Sequence, residues 1–119
     1  MRAILKEFYS LDIDMPLVEF YPEKHNNFGF WARMIIGEKE IGGEESFDIL
    51  ICTPKWLLNN HAKNEIIFGK HHLIVFEYNY HNIYKKLKYT VENTEGNDWN
   101  EIGLKLGAIA NWEFEDYRE

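Results

Sequence analysis

The stretch Glu44 to Leu58, EESFDILICTPKWLL, holds a strand, a turn and a helix start in fifteen residues, and it constrains the possible folds more than any other. Phe47, Ile49 and Ile51 recur with the period of two that places alternate side chains on one face of a pleated strand, while Ser46 and Asp48 open the other face. Leu50 and Cys52 turn that second face apolar, so the strand is expected inside a sheet rather than at its rim. Thr53 can accept an orphan N–H at a helix start, and Pro54 suits the first helical position, where its missing donor is not needed. Trp56, Leu57 and Leu58 are then expected to share the core at the strand's end.

Residues 2–10 read as a strand with Ile4 and Phe8 on one face and Leu5 and Tyr9 on the other, an alternation blurred by Lys6 and Glu7. Residues 11–27, with Pro16, Pro22, Asn26 and Asn27, form a surface connection tacked down by Leu17, Phe20 and Tyr21. Phe28, Phe30, Ala32, Met34 and Ile36 give a second strand one apolar face. Gly37 and Gly42-Gly43 bracket an acidic loop, which predicts an antiparallel hairpin into the Glu44 strand. Leu73 to Phe76 form a short fourth strand. Tyr80, Ile83, Tyr84, Leu87 and Val91 form the stripe of an amphipathic helix capped by Asn79. Asp98, with Glu101 three residues later, caps a last helix whose buried stripe is Trp99, Ile102, Leu106 and Ile109. There Gly103 and Gly107 leave room for a neighbouring backbone. The expected fold is a single α+β domain over residues 1–119: an antiparallel sheet of about four strands with helices packed on one face, two of them C-terminal.

Composition narrows the function classes. A chain of 119 residues that is 45% hydrophobic can build one core, and no apolar run approaches the ~20 residues that span a bilayer. The opening MRAILKEFYSLDID breaks any signal-peptide h-region with Lys6, Glu7 and Asp12. One cysteine allows no internal disulfide. Both features predict a cytoplasmic protein. A net charge of −7 argues against binding nucleic acid and for a basic protein partner. The acids are concentrated in two places. Residues 38–48 carry Glu38, Glu40, Glu44, Glu45 and Asp48 against Lys39, and residues 92–119 have a local balance of −6, with Glu113, Glu115 and Asp116 near the end.

Residue chemistry points away from catalysis. His71 and His72 are adjacent on a predicted strand and face opposite ways, so at most one could join any site. Cys52 precedes a helix start, where a thiol can be activated, but its neighbours are apolar and no histidine lies near it in sequence. Gly42-Gly43 is followed by two glutamates, which would repel a phosphate. No catalytic residue, metal ligand or cofactor is expected. Among the four tryptophans, Trp56 and Trp99 read as core, and Trp31 and Trp112 as partly exposed binding residues.

Four segments carry a family resemblance. ESFDILICTPKWL, HHLIVFEYNYHNI, EGNDWNEIGLKL and NWEFEDY resemble, in the same order, motifs of the immunity protein 8 family, encoded in bacteria beside polymorphic toxins. The resemblance implies an immunity protein that binds a cognate toxin domain and blocks it sterically. An acidic inhibitor suits a basic nuclease domain. The candidate contact residues are Glu38, Glu40, Glu44, Glu45, Trp112, Glu113, Glu115 and Asp116. Two other classes stay open: a small enzyme using His71 or His72 with a carboxylate, and an oligomeric adaptor joined through its sheet.

Overall fold

The computed structural model describes residues 1–39 and 43–114. Along the chain these form β1 (Ala3–Tyr9), β2 (Gly29–Glu38), β3 (Glu44–Cys52), α1 (Pro54–Asn60), β4 (His72–Ile74), α2 (Tyr80–Glu92), α3 (Trp99–Gly107) and β5 (Asn111–Trp112). The class is α+β, as the patterning predicts. The sheet, however, has five strands and is mixed rather than antiparallel. β1, β2 and β3 form an antiparallel meander, and β5 joins β3 antiparallel with Phe47 opposite Trp112. β4 runs parallel to β3, with Leu50 to Cys52 opposite His72 to Ile74. The chain leaves β3 through α1 and the 61–71 segment, a crossover long enough to return it in the same direction. As expected of a strand apolar on both faces, β3 lies inside the sheet.

The predicted core face is buried. Phe28, Phe30, Ala32, Met34 and Ile36 from β2 and its entry meet Phe47, Ile49 and Ile51 from β3, and α2 and α3 close over them with Ile83, Leu87, Val91, Ile102 and Leu106. Asn79 and Asp98 cap these two helices, their side chains accepting from Asn82 N–H and Glu101 N–H at 3.1 and 2.8 Å. α1 leans on the other face of the sheet. Gly29 alternates with the core residues Phe28 and Phe30, and a Cβ on it would meet the Trp56 ring at 2.4 Å. α1 has no buried residue, and Leu58 is exposed rather than part of the core. Leu17 and Phe20 hold down the 11–27 connection, but Tyr21 lies exposed.

β1 departs from simple alternation for a physical reason. Its register against β2 shifts between Leu5 and Glu7, so Lys6 is an extra residue in a bulge. Ala3 and Leu5 before the bulge and Phe8 after it all face the core, which replaces the expected pairing of Ile4 with Phe8. The Leu5 N–H donates to Glu92 Oε2 of α2 at 3.3 Å, so the helix satisfies a donor beside the irregularity.

Thr53 joins sheet and helix. Fully buried, its Oγ1 accepts from Trp56 N–H at 3.3 Å, as the predicted helix cap, and from Phe28 N–H at 3.2 Å. Its own N–H donates to the Phe28 carbonyl at 3.0 Å. Thr53→Val keeps the shape but removes the acceptor, leaving the Phe28 N–H without it and α1 uncapped. We expect it to cost about 1–3 kcal/mol in chemical denaturation; a loss under about 0.5 kcal/mol would show that the hydroxyl is dispensable.

Candidate functional site

The two acidic stretches, distant in sequence, meet at one end of the sheet. The β2–β3 hairpin puts Glu38 at the end of one strand and Glu44 at the start of the next, with Gly37 opposite Glu44. β5 brings the second stretch alongside: Glu113 N–H donates to the Ser46 carbonyl at 3.3 Å, and Ser46 N–H donates to Glu113 Oε1 at 2.7 Å. The result is a groove of about 430 Å³ lined by Met1, Glu38, Gly43, Glu44, Glu45, Trp99 and Phe114. Gly43 has φ +111°, a left-handed conformation that L side chains rarely adopt, and so turns the chain into β3.

Glu45 is the fixed member of this end. One carboxylate oxygen accepts from Trp99 Nε1–H at 2.8 Å and the other from Trp112 Nε1–H. It is therefore a structural acceptor between two indoles, whereas Glu44 is exposed and is offset by Lys6 Nζ at 3.7 Å. Trp112 does not have the expected exposure. It is 4% exposed, stacked on Phe47 with ring centres 6.0 Å apart and planes 8° from parallel. The closest neighbour of Gly103 is this ring, not a backbone: an added Cβ there would lie 2.5 Å from it. The pairing of Asn111 and Trp112 with β3 decides that this ring turns inward. Of the sequence candidates, Glu38, Glu44, Glu45, Trp112 and Glu113 come together here, while Glu40, Glu115 and Asp116 lie outside the described residues. Met1, Trp99 and Phe114 were not among the candidates.

A family model for immunity protein 8 matches residues 3–117. The chain belongs to the immunity protein 8 family. No curated protein and no solved structure matches it.

His71, His72 and Cys52 lie away from this groove in this family member. His71 lies just before β4 with φ 60°, not on a strand, and its Nε2 pairs with the Gly107 carbonyl at 3.0 Å. The His72 ring pairs with the Lys70 carbonyl at 2.7 Å. Both rings thus bond backbone rather than a carboxylate. Cys52 is fully buried, and burial pushes its thiol up, away from the reactive thiolate. Among the described residues no three His, Cys, Asp or Glu side chains converge as a metal site needs. No helix among them is long and apolar enough to cross a membrane. On the sheet face opposite the core, Trp31 is 46% exposed, as expected. Beside it Arg33 and Asp48 form a two-pronged pair at 2.8 and 3.0 Å, which raises the Arg33 pKa.

Proposed function

We propose that this family member binds its cognate toxin domain in the cytoplasm of the producing cell and blocks it sterically, without chemistry of its own. Family membership implies a toxin partner. The observation that carries the choice of surface is the groove at the hairpin end, where Glu38, Glu44 and Glu45 line it with Trp99, Phe114 and Met1, and Glu113 stands beside it on Ser46. An acidic rim on an aromatic wall suits a lysine- or arginine-bearing surface: the carboxylates pair the cation and the ring faces attract it. A basic nuclease domain presents such a surface where it would hold nucleic acid, and covering it excludes the substrate. Complementary fields would also speed capture of a toxin that damages the cell from within.

Co-expression with the toxin domain encoded by the neighbouring gene tests this reading. The expected outcome is restored growth and co-purification as a complex, with the toxin inactive only while bound. Growth that is not restored, or a toxin that stays active in the purified complex, would overturn the reading of a steric inhibitor.

A further inference from the structure

The end of the sheet away from the acidic groove has the opposite character. Residues 54–90 carry six lysines against Glu65 and Glu77, in a chain whose net charge is −7. Among the described residues Lys70, Lys85 and Lys86 are in no ion pair. The same region exposes large apolar side chains: Ile66 and Phe68 are each 96% exposed, Leu58 80% and Phe76 78%. Single exposed apolar residues are ordinary, but Ile66 and Phe68 lead directly into the groove-lining stretch Gly69 to Leu73 and Phe76 lines the groove that follows it, whereas Leu58 lies on α1 across the sheet.

The surface also has a shape. β4 is the last strand on its edge of the sheet, and its outer side adjoins two grooves that share Leu73 and Lys86. One, of about 450 Å³, is lined by Leu73, Ile74, Phe76, Ile83 and Lys86 among others. The other, of about 350 Å³, lies along Lys70 to Leu73 and Leu87. His71 and Val75 bond β3 through their carbonyl and N–H. Strand alternation therefore turns the backbone groups of His72 and Ile74 toward the open edge.

Resting on the toxin-binding reading above, we propose that this lysine-bordered apolar surface is a second contact for the same toxin, taking a segment that presents apolar side chains flanked by carboxylates. Charge decides the occupant. A second copy docked through this same surface would bring its own Lys70 and Lys86 to the contact, whereas a carboxylate-rimmed segment neutralises them. Reach permits it as well. β3 runs from Glu44 at the acidic end to Cys52 beside β4, about 25 Å at ~3.3 Å per residue. An ordinary interface of ~800 Å² per partner is about 30 Å across, so one toxin domain can touch both ends. The two ends then divide the work: exposed charge sets how fast the complex forms, and apolar anchors set how long it lasts.

The test is binding kinetics with the toxin domain from the neighbouring gene. Ile66 and Phe68 are exposed, so the double variant I66S/F68S should keep the wild-type denaturation midpoint. We expect it to dissociate at least about tenfold faster, with an association rate within about twofold of wild type, and K85E/K86E to dissociate faster too. Dissociation of I66S/F68S within about twofold of wild type would overturn the second contact and leave toxin binding standing. A wild-type dimer in sedimentation that I66S/F68S dissolves, with toxin kinetics unchanged, would assign the surface to a second copy and equally overturn it. A wild-type protein that binds no toxin would remove both readings together.

Discussion

Replacing Trp112 by alanine should cost about 3–5 kcal/mol of unfolding free energy, the range for deleting a buried aromatic side chain. The ring fills the space between Phe47 and Gly103, and Gly103 has no side chain to move into the void. Its Nε1–H is also one of the two donors that hold Glu45. Urea denaturation with an unchanged slope checks it. A loss under about 1 kcal/mol would mean that the β3–β5 pairing does not hold the ring as described. Because whole domains are stable by only ~5–15 kcal/mol, the variant should be marginal at growth temperature. Any loss of toxin binding would then follow from a disordered acidic end rather than from a missing direct contact. Trp112→Phe keeps a ring on Phe47 while removing the N–H and the indole edge against Gly103, so it should cost less than alanine.

Reversing Glu38, Glu44 and Glu113 to lysine should slow association with the toxin domain by about tenfold at low salt and flatten its salt dependence. The three lie at the groove or beside it on strand ends where an approaching cation would meet them. Glu45 is left in place: a lysine there would put a cation between two indole N–H donors, and the variant would report on folding. The effect should fade as salt shortens the screening length to about 8 Å at physiological strength. An association rate changed by less than about twofold at low salt would count against steering by the acidic end, and the growth-rescue experiment would still decide the toxin-binding reading.

How much of this was legible in the sequence depended on how local the deciding interaction is. The β3–α1 junction could be read because period, cap and Pro54 lie within a dozen residues, and the same holds for Asn79 and Asp98 at the starts of α2 and α3. The face of β1 could not, because a one-residue bulge at Lys6 reverses the phase, and only the register against β2 shows it. β4 has three residues and takes its direction from a crossover, so its parallel pairing carries no signature in its own composition. The candidate site divides the same way. Its acidity was plain in the sequence, while its assembly from two segments rests on Phe47 pairing with Trp112. The lysine-rich apolar end was also present in the sequence as charge, but masked by a negative total.

That last pairing also bears on when the molecule becomes competent. The β2–β3 hairpin closes between neighbours in sequence and can form early, whereas β3 and β5 close a loop of about 65 residues, with a larger entropic cost. Glu113 and Phe114 lie just beyond that pairing, so the acidic groove is among the last features to be built. During synthesis the meander can be in place while the end proposed to face the toxin is still incomplete, and on that proposal protection would begin only once residues 111–114 have found β3.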